Sequence, residues 1–195
     1  MLNDRQLADY RRDEFFLPRP LFGGGEIAAL LEFARRDAGM RQEARVRRDA
    51  DGNETKLLVW NEPPPPPYGL FARSPRLVGP AEQILEGEVY HYHSKMMLKG
   101  PRVGGAWEWH QDYGYWYDFG CLYPLLVSCL IAVDPATREN GCVQVLRGSH
   151  ALGRLDHGRA GEQVGADMER VAEALARHEL VFIEAEPGDV LFFHC

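Results

Sequence analysis

The chain has 195 residues, of which 45% are hydrophobic and 26% charged. This composition predicts one globular domain and excludes a disordered or collagen-like chain. The 29 acidic and 22 basic side chains give a formal net charge of -7, so we expect no nucleic-acid partner and no anionic membrane surface as a partner. The longest apolar stretch, residues 122–133, contains Pro124 and is shorter than the ~20 residues of a membrane-spanning helix.

The N-terminal segment and the cysteines indicate a cellular compartment. Residues 1–16 are rich in Asp, Arg and Glu and have no apolar core followed by small residues, which predicts no secretory signal and a cytoplasmic location. Cys121, Cys129, Cys142 and Cys195 stand singly, without a Cys-x-x-Cys pair. We therefore expect reduced, partly buried thiols.

Residues 1–87 read as helices and connectors. Asn3 precedes a short opening helix, and the glycines at 23–25 precede a second one. Ser74 as N-cap, Pro75 at the first position and Gly87 as the stop mark a third helix. The apolar positions on the three helices are Leu7 and Tyr10; Ile27, Leu30, Leu31 and Ala34; and Leu77, Val78, Ala81, Ile84 and Leu85.

Two further segments of this part read as connections. The arginine-rich residues 35–48 are interspersed with acidic side chains, which favours a solvated loop over a binding patch. The five prolines at 63–67 predict a stiff extended connector, although such a run also serves as a ligand for other domains.

From residue 88 the pattern changes to short strands rich in Val, Tyr, Phe and Trp and bounded by turn residues. Strands are predicted at residues 88–94, 106–110, 125–133, 142–146, 180–184 and 190–194. One amphipathic helix interrupts them, with apolar positions at Val164, Met168, Val171, Ala172 and Leu175. The pattern favours a jelly roll or sandwich over parallel βαβ winding. We expect one domain over 1–195, with a helical part and connector at 1–87 and a barrel core at 88–195.

His110 and Asp112 form the motif with the most chemical content. If they lie on one strand, their side chains share a face. One imidazole and one carboxylate are two of the three ligands of the 2-His-1-carboxylate triad that binds iron(II). Alone the motif is weak, because such a pair is more often a surface hydrogen bond than a metal site.

A series of motifs extends this signal along the chain. In order they are Tyr90-His91-Tyr92-His93-Ser94-Lys95, His110-Gln111-Asp112, Asn140-Gly141-Cys142, Gly148-Ser149-His150 and Pro187-Gly188-Asp189-Val190-Leu191-Phe192-Phe193-His194. In order and approximate spacing the series resembles the phytanoyl-CoA dioxygenase family over nearly the whole chain. The resemblance implies a double-stranded β-helix, which is a jelly-roll, cupin-like barrel. It also implies an enzyme that uses iron(II), 2-oxoglutarate and molecular oxygen to hydroxylate a small organic substrate, with release of succinate and CO2.

Carried over residue by residue, the resemblance makes His110 and Asp112 iron ligands. It places Gln111 and Lys95 where relatives contact 2-oxoglutarate, the match at Lys95 being loose. Because Asp112 is present where halogenating relatives have a small residue, hydroxylation is the expected reaction. The aromatic residues after the pair suit a substrate pocket, and we assign this role to Tyr113, Trp116 and Tyr117, with packing at a barrel rim as the alternative.

The resemblance stops short of a complete site. In the family a second histidine ligand follows the Phe-Phe-His segment, and an arginine beyond it pairs with 2-oxoglutarate; neither occurs in these 195 residues. His194 shares a strand face with Phe192, but relatives have their ligand after this position. We therefore expect a barrel that is incomplete at its C-terminus, in a fragment of a longer dioxygenase.

Two other hypotheses stay open. The chain could be a catalytically inactive jelly-roll module that binds or scaffolds and lacks a complete iron site. Alternatively, His91 and His93 could hold another metal in the manner of a cupin. Substrate identity and oligomeric state are open at this stage.

Overall fold

The computed structural model describes residues 1–18, 20–100 and 104–195. Its helices are α1 (Asp4–Asp13), α2 (Gly24–Arg36), α3 (Ala38–Glu43), α4 (Tyr68–Ala72), α5 (Pro75–Leu85), α6 (Asp112–Trp116) and α7 (Met168–Arg177). Its strands are β1 (Phe15–Phe16), β2 (Arg45–Arg48), β3 (Glu54–Trp60), β4 (Ser94–Leu98), β5 (Val127–Ile131), β6 (Val143–Leu146), β7 (His157–Ala160), β8 (Gln163–Ala166), β9 (Leu180–Ile183) and β10 (Val190–His194).

The predicted helix ends are confirmed by their hydrogen bonds. Asn3 caps α1 by accepting from the backbone N–H of Gln6, whose side chain accepts in return from Asn3 N, both at 2.9 Å. Ser74 caps α5, with Pro75 in its first turn. The N–H of Gly87 reaches Glu82 O at 3.2 Å, just past the end of the helix.

The central sheet has the order β1-β10-β5, with both pairings antiparallel. Strand β10 is therefore hydrogen-bonded along both edges, and Val190, Leu191 and Phe192 are at most 1% exposed. Around Phe192 lies a core to which α1, α2 and α5 contribute Tyr10, Ile27 and Leu77. This core fixes the position of β10 and of the residues that follow it.

A second sheet, β2-β3-β4, was only partly predicted. The predicted solvated loop at residues 35–48 is wrong, since α3 and β2 lie there. Strand β2 has three arginines among its four residues, and its charge concealed the strand pattern. Strand β4 begins at Ser94, where the strand predicted over 88–94 ends. Pairing of β3 with β4 links the two parts of the predicted domain.

The strand predicted over residues 106–110 is also wrong, because this segment is irregular. Side chains replace a neighbouring strand as hydrogen-bond partners. Buried Asp49 accepts from Ala106 N at 2.9 Å, and buried Gln163 accepts from Glu108 N at 3.0 Å and donates to Ala106 O at 2.9 Å. The backbone is thereby satisfied without a ladder.

The remaining pairs are β6 with β9 and β7 with β8, both antiparallel. The amphipathic helix is α7, while Val164, expected on its face, lies in β8. The four cysteines are free, as predicted, and Cys142 and Cys195 are buried. Within the described ranges, we find no helix long and apolar enough to cross a membrane.

Candidate metal centre and the adjacent cavity

His110 and Asp112 do come together, but not on a strand. Gln111 is the N-cap of α6 and Asp112 is its first residue. His110 therefore precedes the helix, whereas Asp112 lies in its first turn. Gly114 N donates to Gln111 O at 3.0 Å, and Tyr113 N donates to Cys195 O at 2.9 Å. The second bond ties the first turn of α6 to the residue that follows β10.

The ring of His110 is held in one orientation by its own backbone segment. Its Nδ1 lies 2.7 Å from Glu108 O, and a carbonyl oxygen only accepts, so Nδ1 carries the hydrogen. In the neutral ring, Nε2 is left with a free lone pair. That nitrogen lies 3.6 Å from Asp112 Oδ1. An orienting bond at the far nitrogen is typical of histidines that ligate metals.

The carboxylate of Asp112 is largely but not fully buried, with 12% of its side chain exposed, and has a donor on each oxygen. Tyr115 OH donates to Oδ1 and Ser128 Oγ donates to Oδ2, the latter at 3.0 Å. Burial disfavours the charged form, but a hydrogen bond from the protonated form of His110, the positive charge of Lys95 and the bond from Tyr115 outweigh burial, so the pKa of Asp112 lies below its usual value. Asp112 is thus an anion held in a fixed place.

These two groups fit a shared cation. A neutral His110 presents its Nε2 lone pair to the carboxylate oxygen, and two such acceptors are favourably placed only when a proton or a metal cation lies between them. Donor atoms that share a metal at ~2.1 Å lie within about 4 Å of each other, a condition that the 3.6 Å separation meets. Among the residues that the structure describes, no third His, Cys, Asp or Glu completes a metal-binding group.

Gln111, a predicted 2-oxoglutarate contact, has its side chain bonded to a neighbouring loop. Its Nε2 donates to Gly153 O at 2.8 Å and its Oε1 accepts from Leu155 N at 2.7 Å. Its backbone N donates to Nε2 of His157 at 2.8 Å. In this arrangement Gln111 ties the metal-site segment to the loop before β7.

The other predicted cofactor contact, Lys95, lies on β4 beside an aromatic cluster. Its Nζ is 5.8 Å from the ring centroid of Trp116, and that ring also contacts Tyr92 and His93 at 4.9 and 5.0 Å. Burial, followed by the charge of Lys95, lowers the pKa of His93 to about 4. The positive charge of Lys95 also acts on the carboxylate of Asp112.

The predicted pocket residues lie on α6 and the turn after it. Tyr113 donates to Leu122 O at 2.8 Å and meets the ring of Tyr117 edge-on at 5.8 Å. An open cavity of about 820 Å³ lies beside this segment. The segment contributes Tyr115, Asp118 and Phe119 to the lining of this cavity. The other lining residues come from β2, β7, β8 and the turn between β7 and β8: Val46, Arg47, Arg48, His157, Gly158, Arg159, Glu162, Gln163 and Val164.

The contact between Tyr115 and Asp112 escaped the sequence interpretation because it depends on a helix. On a strand, residues three apart point to opposite faces, whereas on a helix they are neighbours. Reading the segment as a helix, with the spacing Asp112-x-x-Tyr115, would have revealed the contact. Both ring nitrogens of His157 are hydrogen-bonded, to Gln111 N and Leu155 O.

The remaining histidines lie elsewhere. His194 meets His150 at a ring separation of 6.2 Å and lies near Glu14. His91 is bonded to Ser94 Oγ at 2.8 Å, and His93 packs on Trp116. Within the described part of the chain, neither of these histidine pairs belongs to a group of three metal-binding side chains.

The fold is that of an oxygenase barrel. The family model of phytanoyl-CoA dioxygenase matches residues 10–195. The chain therefore belongs to the phytanoyl-CoA dioxygenase family, as its motifs predicted.

Curated relatives give the match finer detail. L-proline trans-4-hydroxylase of Streptomyces griseoviridis is 41% identical over 99 residues, which are 50% of this chain and 37% of the relative. Ectoine dioxygenase of Bordetella parapertussis is 30% identical over 153 residues, which are 76% of this chain and 50% of the relative. The chain thus spans about half the length, or less, of these relatives.

Solved structures confirm the predicted jelly-roll, cupin-like fold. EctD from S. alaskensis with bound Fe covers 100% of this chain with a TM-score of 0.81 at 25% identity, and 68% of that structure is matched. A second structure of EctD, with 2-oxoglutarate and 5-hydroxyectoine, has a TM-score of 0.80 at 25% identity with the same coverage.

Proposed function

We propose that the protein is an iron(II)- and 2-oxoglutarate-dependent dioxygenase that hydroxylates a small organic substrate and releases succinate and CO2. The observation that carries the proposal is the meeting of His110 Nε2 and the Asp112 carboxylate at 3.6 Å. Membership of an oxygenase family and likeness to a structure with bound Fe support the identity of the metal.

Each residue has a role in this proposal. His110 and Asp112 would hold iron(II), which would activate molecular oxygen, the oxidant, for hydroxylation of an unactivated C–H bond, while 2-oxoglutarate would be oxidised to succinate and CO2. Lys95 places a positive charge near the site, suited to an anionic cosubstrate. Trp116 and its aromatic neighbours exclude water from that side. Gln111 is proposed to orient the ligand segment, because both ends of its amide are bonded to the loop at 153–155; a contact with the cosubstrate would require the amide to release those bonds.

For the substrate we propose a small carboxylic acid with a nitrogen-containing ring. L-proline and ectoine, named in the relatives, are both molecules of this kind. The cavity beside Tyr115 contains Arg47 and Arg159. Arg48 is paired with Glu54 and Glu162 at 2.7 and 3.2 Å, whereas Arg47 is half-buried and has no carboxylate partner among the described residues. An unpaired guanidinium in a cavity suits a carboxylate.

We place the reaction in the cytoplasm, because four free cysteines suit a reducing compartment. The alternative to this enzyme is a non-catalytic binding or scaffold module. It is favoured only if the folded protein binds neither iron nor 2-oxoglutarate.

The test is oxygen-dependent succinate formation by the full chain supplied with iron(II) and 2-oxoglutarate. We expect succinate release above background when L-proline or ectoine is added, and loss of at least 100-fold for His110→Ala and for Asp112→Ala because each removes a proposed ligand. His178→Ala is the matched control, since that ring binds Arg147 O at 2.9 Å and lies on another element.

Two results would count against this function. Folded protein that binds no iron(II) and no 2-oxoglutarate would favour the scaffold module. Iron binding that survives His110→Ala but is lost in His93→Ala would move the metal to the other histidine pair.

A further inference from the structure

We infer that Tyr115 is a positioning residue that holds both proposed iron ligands in their binding orientation. The inference rests on the proposed function, because it concerns the same metal centre. It assigns to Tyr115 a role through Asp112 and His110 and no contact of its own with the metal.

The first observation is that one side chain touches both groups. Tyr115 OH donates a hydrogen bond to Oδ1 of Asp112, the oxygen that faces His110. The ring of Tyr115 also stacks on the imidazole of His110, with centroids 5.9 Å apart and planes 21° from parallel. Rotation of either ligand would therefore break a contact with Tyr115.

The second observation is that Tyr115 is restrained itself. Its position three residues after Asp112 in α6 makes the contact a local one along the helix. Trp116 packs edge-on against its ring at 4.9 Å and His157 does so at 6.1 Å.

The third observation concerns the carboxylate. With Ser128 bonded to Oδ2 at 3.0 Å and Tyr115 bonded to Oδ1, both oxygens have a fixed direction. Each carboxylate oxygen has two lone pairs, and the bond from Tyr115 uses one of those on Oδ1. The other remains for a cation beside His110 Nε2. A ligand set fixed in this way binds metal without ordering its side chains first.

Tyr115 also forms part of the cavity wall, together with Phe119 and His157. A molecule in the cavity would thus touch the residue that holds the ligands. A molecule bound there could therefore affect the orientation of the proposed iron ligands through Tyr115.

The test compares cobalt(II) binding by the full chain and by Tyr115→Phe. Cobalt(II) reports both affinity and ligand geometry through its visible absorption. The variant keeps the ring stacked on His110 and loses only the hydroxyl. We expect its cobalt(II) Kd to rise at least tenfold, in the range found when a residue supporting a metal ligand is removed, and its absorption bands to shift.

Tyr68→Phe is the matched control. Tyr68 is also a buried tyrosine bonded to an aspartate, Asp37, at 3.0 Å, but it lies in the core beside β3 and away from the site. Its cobalt(II) Kd should be unchanged. Thermal melting of both variants measures the structural cost of the lost hydroxyl separately from the effect on the metal.

The outcomes separate the two proposals. If wild type binds cobalt(II), and Tyr115→Phe binds it with the same Kd and spectrum, the positioning role is wrong while the metal centre stands. If both variants weaken binding equally, the effect is one of general stability and the role is again wrong. If the folded wild-type protein binds no cobalt(II), the metal centre itself fails.

Discussion

Gly114 lies between Asp112 and Tyr115 in α6 and faces the imidazole of His157. A Cβ built on Gly114 would lie 1.9 Å from Cε1 of that ring, far inside van der Waals contact. The glycine therefore lets the helix that carries Asp112 approach the loop that Gln111 binds. Close approach, and not backbone freedom, explains the glycine, because its φ is not in the left-handed region.

Gly114→Ala is expected to lower the free energy of unfolding by about 1–3 kcal/mol, the usual cost of overpacking. Displacement of His157 or α6 should also weaken metal binding. Urea unfolding and cobalt(II) titration measure the two effects. Gly25→Ala, where a Cβ meets nothing within 4 Å in helix α2, is the control and should leave stability unchanged or raise it by up to about 1 kcal/mol. Equal stability of both variants would contradict the packing explanation.

At the scale of elements, Arg147 joins three parts of the chain. Its guanidinium contacts the carboxylate of Asp13 at the end of α1, lies 2.7 Å from Glu179, and lies 5.3 Å from the ring centroid of Phe15 in β1. The structure gives the arginine a role in holding α1 and β1 against the barrel.

Asp13 makes this junction sensitive to acid. The hydrogen bond from Arg12, opposed by burial and supported by the charge of Arg147, lowers the pKa of Asp13. A carboxylate whose pKa is lower when folded stabilises the protein above its unfolded pKa of about 3.9, and the contribution disappears as the pH falls through the folded value.

We therefore expect Asp13→Asn to have a lower Tm than wild type at pH 7, with the difference shrinking below about pH 4. Thermal melts across this range are the measurement. Asp51→Asn, a change at an exposed loop position, is the control and should follow wild type throughout. A Tm difference that is constant with pH would show that the charge of Asp13 is not responsible.

On the scale of the whole molecule, stability depends on the core around β10. Phe192 is fully buried and lies between Phe16 on β1 and Cys129 on β5. Burial raises the pKa of the Cys129 thiol to about 12, which agrees with an apolar surrounding. The N-terminal helices and the sheet share this one core.

Phe192→Ala should lower the free energy of unfolding by about 3–5 kcal/mol, because it removes a large buried side chain and leaves a cavity. Denaturant unfolding checks the value. Phe119→Ala, at a residue 74% exposed, is the control and should change stability by less than about 0.5 kcal/mol. A small effect at Phe192 would mean that the core can collapse around the gap.

Sequence patterns predicted those parts of the fold that local chemistry determines. The cap at Asn3, the start of α5 at Ser74 and the strand at Val190–His194 follow from capping groups and apolar runs. Strand β2 and the irregular segment at 106–110 could not be found in this way. The arginines of β2 concealed its strand pattern, and the backbone partners of the segment at 106–110 come from distant positions, Asp49 and Gln163, which no local pattern specifies.

For the candidate site, the motif His110-Gln111-Asp112 was sufficient to find the pair but not its geometry. The role of the pair as iron ligands was inferred from the series of motifs along the chain. The helix start at Asp112, the bond from Tyr115 and the ties of Gln111 all depend on how α6 docks on the end of β10 and on the loop before β7. Those contacts are tertiary, so a resemblance carried over residue by residue does not contain them.

The pairing of β1 with β10 has a consequence for biosynthesis. Phe15 emerges from the ribosome early, whereas its partner Phe193 is among the last residues of this sequence to be made. Pairings between such distant residues form slowly, since a long stretch of chain must be ordered first. Helix α1 and β1 must therefore wait with their apolar side chains uncovered during translation, and this interval is when the nascent chain depends most on chaperones.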